Sequence, residues 1–292
     1  MSKLSDNIRK EWIVNDTKRD QGLSQPETVE AVKNISYGSF DHWNLLDLYY
    51  PKSFKGKLPV IVSIHGGAYV YGFKEIYQFY LMNLAERGFA TVNFNYRLAP
   101  EFKFPAALED TNNVIKWIFE NAEKYNLDTE NIFMVGDSAG SHYNALYSCL
   151  CTNPSYADLI KVHPYNNFKP KAICLNCGAI NAVWKLDEND RGDLFKDLLG
   201  DNFKEDSYLL DANLYINQNF PPAFLMTAYY DFLKSQTPVA DKILTENHVP
   251  HIVKSYGTEE QKEACHVFHV NIKLDLAKEC NDEECEFLKS YI

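Results

Sequence analysis

The chain has 292 residues, 46% of them apolar and 24% charged, which excludes global disorder and allows a core that needs no disulfide or metal to hold it. Forty acidic residues against 29 basic ones give a net charge of −11, an argument against nucleic acid or an anionic membrane as partner, since either is bound largely by Lys and Arg neutralising phosphates. The segment Met1–Lys10 has no apolar stretch of signal-peptide length, and the seven cysteines are odd in number and unframed, so free thiols in a reducing cytoplasm are expected.

The first thirty residues are polar with a weak helical pattern (Ile8, Trp12, Ile13), fitting either a frayed terminus or a helical flap over a site. From about residue 33 short apolar runs alternate with longer helical stretches. Trp43–Tyr50, Val60–Ile64, Ala90–Phe94, Ile132–Val135, Lys171–Leu175, Ala223–Ala228 and His251–Ser255 read as strands. Glu75–Arg87, Ala106–Tyr125, Ala139–Cys151, Gln236–Asn247 and Cys280–Tyr291 read as helices. Strand then helix, repeated, predicts a mostly parallel sheet covered on both faces, here as one domain over 1–292. The stretch Asn176–Phe220 is long, acidic and aromatic (Trp184, Phe195, Phe203, Tyr208, Tyr215), with acids from Asp187 to Asp211. A structureless loop of that length is improbable in a compact domain, so a helical insertion is expected, part of a lid. Cys174-Leu-Asn-Cys177 is a lone CxxC in a strand-like run; two buried thiols are the plain reading, metal or redox use the alternative.

Gly136-Asp137-Ser138-Ala139-Gly140 joins a strand to a helix, the setting in which a G-x-S-x-G serine is thrust out on a sharp turn with a helix N-terminus behind it. The alternative is a glycine-rich turn whose serine merely caps the helix. His65-Gly66-Gly67-Ala68 directly follows the strand 60–64. Backbone N–H groups of Gly66 and Gly67, with that of Ala139, are the candidate donors to an oxyanion, and His65 is expected to fix the loop. A serine hydroxyl needs a base, and the strand-end order Ser, acid, His points to His266 first and His269 second. Asp231, between a strand and a helix, is the candidate acid. His142 is expected to be structural. Tyr69, Tyr71 and Phe73 are candidate substrate-binding residues, beside an ordinary core role for some of these aromatics.

Taken together, His65-Gly-Gly-Ala68, Tyr96-Arg-Leu-Ala-Pro-Glu101, Phe104-Pro-Ala-Ala-Leu108 with Asp110, Gly136-Asp-Ser-Ala-Gly140, Asp231-Phe-Leu233 and His266-Val-Phe268 resemble the hormone-sensitive-lipase-type branch of the α/β-hydrolases, the bacterial esterase/lipase group that includes acetyl esterases. The resemblance runs from about residue 40 to the end. It departs at Ala68, where a third glycine is frequent, and at Ser141, where a glycine often follows the elbow. It implies an eight-stranded mixed sheet and a small helical cap drawn from residues 1–32 and about 181–218. It also implies hydrolysis of short-chain acyl esters by a serine carboxylesterase without metal or cofactor, and a role for Tyr96–Glu101 in supporting the oxyanion side. Two rivals remain: an amidase or peptidase with the same three residues, and a non-catalytic ligand-binding relative. The expected partner is a small-molecule ester; a homodimer is left open.

Overall fold

The computed structural model describes residues 1–178, 180, 181 and 191–292; Trp184 and Asp187 of the expected insertion lie outside the described residues. An N-terminal helix α1 (Lys3–Asp20) precedes β1 (Val29–Ser36), β2 (Leu45–Pro51) and β3 (Leu58–Ile64). There follow α2 (Gln78–Ala85), β4 (Ala90–Phe94), α3 (Ala106–Tyr125), β5 (Leu127–Asp137), α4 (Ala139–Thr152), α5 (Pro154–Ile160) and β6 (Ile173–Asn176). The chain ends through α6 (Arg191–Leu199), β7 (Ala223–Ala228), α7 (Thr237–Glu246), β8 (His251–Tyr256) and α8 (Asp275–Lys289).

The strands form one eight-stranded sheet in the order β1-β2-β4-β3-β5-β6-β7-β8. β1 and β2 pair antiparallel, β2 pairs antiparallel with β4, and every other neighbour is parallel. The central strands β4, β6 and β7 are buried throughout and β5 from Ile132 onward, so their β-branched and aromatic runs have no polar face. β1 was not legible as a strand: Val29 is its one fully buried residue, and an edge strand half open to water carries no continuous apolar signal. The N-terminus is a helix whose first turn Ser2 caps, accepting from the Ser5 N–H. α1 and α6 meet through Asp197, which accepts from Ser2 N–H at 2.8 Å and Ser5 Oγ–H at 2.6 Å. The parallel register brings the C-terminal ends of β3, β5, β7 and β8 to one edge, where an open α/β sheet carries its sites. Among the described residues no helix is long and apolar enough to cross a membrane.

Candidate active site

Ser138 stands between the last residue of β5 and the first of α4, with φ 51° and ψ −119°. That left-handed conformation in a non-glycine residue is strained, and the surroundings hold it: its N–H donates to Asn176 O at 3.0 Å, and its carbonyl accepts from His142 N–H at 3.2 Å. Asp231 lies just after β7 and His266 in the loop after β8. These loops are stitched by a parallel bridge between Tyr230 and Cys265 and by Tyr230 N–H donating to Ala264 O at 2.8 Å. The sheet pairing thus continues past the strand ends and sets the acid beside the imidazole.

The three groups converge. His266 Nε2 lies 2.9 Å from Ser138 Oγ, and His266 Nδ1 lies 2.7 Å from Asp231 Oδ1. Asp231 also accepts from Leu233 N–H on Oδ1 at 2.9 Å and from Thr227 Oγ1–H on Oδ2 at 2.9 Å. Burial pushes the Asp231 carboxyl up, but the hydrogen bonds from His266, Leu233 and Thr227 and the nearby imidazole outweigh it and hold the group below the usual carboxylate range. A buried, multiply bonded carboxylate against Nδ1 is the arrangement that orients an imidazole with Nε2 free to accept a proton. His269, the second choice as base, is fully buried against Tyr80, with neither ring nitrogen hydrogen-bonded among the described residues, and burial pushes it down to about 3.

The oxyanion loop differs from expectation at one residue. Gly66 N–H donates to Tyr77 Oη at 3.0 Å and is not available to a substrate. The amides of Gly67, Ala68 and Ala139 have no acceptor among the described residues. Gly67 has φ +130°, and a Cβ there would sit 1.9 Å from Tyr71 O, so no other residue fits. Ala68 and Tyr69 continue the turn at φ 51° and 69°. His65 is buried, hydrogen-bonded through Nδ1 to Gly66 O at 2.7 Å and stacked on Tyr96 at 4.2 Å; burial pushes it down to about 4, fitting the loop-fixing role. The Tyr96–Glu101 run buttresses the same loop. Tyr96 Oη donates to His65 O at 2.8 Å, Ala99 N–H donates to Tyr69 O at 3.1 Å, and Glu101 pairs with Arg9 of α1.

The three aromatic candidates separate. Tyr69 is buried, its hydroxyl 2.9 Å from His142 Nδ1. His142 in turn bonds Leu210 O at 2.7 Å, and burial pushes it down to about 4, a structural group as expected. Tyr71 donates to Asp16 of α1 at 2.7 Å, and with Phe73 it lines a recess of about 440 Å³ beside Trp43, Leu45 and Leu98. Ser138 and His266 are not among the residues lining that recess, while the Tyr71 carbonyl packs against Gly67 of the loop after β3. Sequence reasoning passed over Phe232, whose ring lies 4.1 Å from the His266 ring although 57% of the residue is exposed. Its position directly after the acid was the available signal.

Cys174 and Cys177 are buried and all seven cysteines are free. Among the described residues one trio of ligating atoms, from Cys177, Asp231 and His266, lies within 4.8 Å of one another. Burial pushes the Cys177 thiol far up, and the acid and imidazole are already bonded to each other, so the trio is ill-suited to a resident cation.

The sequence profile of the BD-FAE family matches residues 46–236. The chain is 33% identical over 118 residues to a putative alpha/beta hydrolase, R526, of Acanthamoeba polyphaga mimivirus, covering 39% of this chain and 34% of that protein. It is 32% identical over 126 residues to the esterase LipC of Mycobacterium tuberculosis, covering 42% and 31%. The chain thus spans about a third of the length of these two curated relatives. Esterase B of Lactobacillus rhamnosis, solved with an inhibitor, superposes with a TM-score of 0.90 over 98% of this chain and 96% of that one at 24% identity, a likeness of fold. With a profile match across most of the sheet and motifs of the hormone-sensitive-lipase type in order along it, the chain belongs to the BD-FAE family and is an α/β-hydrolase.

Proposed function

We propose that this protein is a serine carboxylesterase that hydrolyses short-chain acyl esters through an acyl-enzyme. The observation that carries the reading is the Ser138–His266–Asp231 relay, with contacts of 2.9 and 2.7 Å in one direction of proton transfer. Ser138 Oγ attacks the ester carbonyl and gives its proton to His266 Nε2. The carbonyl oxygen becomes an oxyanion facing the amides of Gly67, Ala68 and Ala139. The tetrahedral intermediate collapses, the C–O bond to the alcohol breaks, and His266 returns the proton to the leaving oxygen. Water then repeats the sequence on the acyl carbon, releasing the acid and restoring Ser138. Asp231 keeps Nδ1 protonated and offsets the imidazolium charge.

What supports an ester over a mere binding role is the intact relay beside free amides on a strained elbow. Two further parts of the proposal follow from the fold. The chain is one catalytic domain, with α1 and α6 as elements of its cap, joined at Asp197. Its free thiols suit a reducing compartment, the cytoplasm. The test is Ser138→Ala assayed on p-nitrophenyl acetate and butyrate, beside the matching anilides. Loss of ester turnover by about 10⁴ or more is expected, by analogy with removal of a nucleophile elsewhere. Undiminished turnover would sink the reading, and faster anilide than ester cleavage in the parent would turn it toward an amidase.

A further inference from the structure

The serine elbow and the oxyanion loop belong to different strand–helix connections, after β5 and after β3. Parallel pairing places them side by side, with Ile64 opposite Gly136. A sheet register fixes strands to within a residue but not the amides of a loop to the few tenths of an ångström that oxyanion stabilisation needs. The contact that bridges the two is buried and polar. Tyr77 Oη donates to Asp137 Oδ2, the residue before the nucleophile, at 2.8 Å. The same oxygen accepts Gly66 N–H at 3.0 Å. Asp137, Tyr77 and Gly66 are all buried. The approach is so close that a Cβ on Gly66 would sit 2.4 Å from Asp137 Oδ2, which explains why the first residue after His65 has no side chain. The Tyr77 ring lies 5.8 Å from the His65 ring, so the two side chains bonded to Gly66 also pack on each other. None of these atoms belongs to the Ser138–His266–Asp231 relay.

We infer that Tyr77 is a positioning residue for the hydrolysis: its hydroxyl ties the oxyanion loop at Gly66 to the elbow at Asp137 and so sets where the Gly67 and Ala68 amides point relative to Ser138. This rests on the reading of Ser138 as nucleophile. The phenol acts through the loop and touches neither substrate nor serine.

The test compares Tyr77→Phe, Asp137→Asn and the double variant with Tyr49→Phe. Tyr49 makes a bond of the same kind, a buried hydroxyl to the buried carboxylate of Asp47 at 2.8 Å, but on β2, away from the site. Tyr77→Phe is expected to lower kcat on p-nitrophenyl butyrate by about 10- to 100-fold, below the ~10²–10³ of deleting an oxyanion donor, because the donors remain and only their aim is lost. KM is expected to hold. The inhibition constant of a trifluoromethyl ketone, which forms an oxyanion on Ser138, is expected to rise in step with the fall in kcat/KM. Tyr49→Phe is expected to lower the melting temperature comparably with kcat unchanged. Because Tyr77 and Asp137 act as one link, the double variant is expected to lose little more than the worse single one. Parent-like kcat in Tyr77→Phe, equal loss in Tyr49→Phe, or additive losses in the double variant would each overturn the inference. If Ser138→Ala itself keeps activity, the nucleophile assignment fails; if it is dead while Tyr77→Phe is unimpaired, only the positioning role does.

Discussion

Replacing Asp231 by Asn tests how the relay holds its imidazole, and the structure sets the size of the effect. The substitution keeps shape and removes charge. An Asn amide can sit two ways. With its oxygen at the Oδ1 position it accepts from His266 Nδ1–H and from Leu233 N–H, as the carboxylate does, while its NH₂ faces Thr227, whose hydroxyl can rotate to accept. Turned over, its NH₂ opposes the Leu233 N–H, two donors face to face in a buried site. The Leu233 amide therefore selects the first orientation, which keeps Nδ1 protonated and Nε2 able to accept. What is lost is the charge. A carboxylate and an imidazolium about 4 Å apart between charge centres interact by about 4 kcal/mol at an effective dielectric of 20. The charge-assisted part of one hydrogen bond gives a lower bound of about 1–2 kcal/mol. The expected fall in kcat is therefore about 10–10³, less than the ~10⁴ that accompanies a wrong tautomer. KM on p-nitrophenyl butyrate is expected to change little, since Asp231 touches no substrate. A loss of 10⁴ or more would refute the Leu233 argument, and a loss below tenfold would refute the role of Asp231 altogether. Stability gives a second reading. The folded-state carboxyl sits below its usual range, so its contribution is full above the usual carboxylate pKa and disappears as pH falls through the folded value. The melting-temperature gap between parent and variant is expected to close on acidification.

Three other outcomes follow from the same structure. Gly67→Val puts a branched side chain where a Cβ alone would be 1.9 Å from Tyr71 O, and kcat is expected to fall by at least about 10² as the oxyanion loop shifts; near-parental kcat would remove Gly67 from the site. His65 and His142 are held neutral down to about 4 and His269 to about 3, while the unfolded chain protonates near 6.5. Each then costs up to about 1.4 kcal/mol per pH unit below 6.5, offset in part by Asp137, which burial pushes up to about 6. The melting temperature is expected to drop from pH 6.5 to 4.5, and a rise across that window would contradict the burial of these rings. A native thiol titration is expected to show Cys265 reacting fast and the buried cysteines slowly, with all seven reacting in denaturant; several fast native thiols would contradict the packing around β6 and α8.

The sequence by itself determined the strand–helix alternation and the order of the functional residues. Val60–Ile64 and Ile132–Val135 announce buried parallel strands because a strand covered on both faces has no polar side, and Ser138 and His65–Ala68 follow directly from where those strands stop. Asp231 and His266 were reachable for the same reason: each follows a legible strand, and chain order restricts the choice. The β1 strand and α5 were not legible, since an edge strand and a seven-residue helix bury too little to impose a period. Tertiary structure alone decided which amides face the site. Gly66 and Gly67 are chemically identical neighbours, and only the arrival of Tyr77 from the residue preceding α2, against Asp137 of another strand, engages one amide and leaves the other open. It likewise chose His266 over His269, and set Tyr71 and Phe73 together with Arg9 of α1 around one recess. Periodicity reports how much of a residue is buried; which partner it meets depends on segments far apart along the chain, brought together only when the sheet closes.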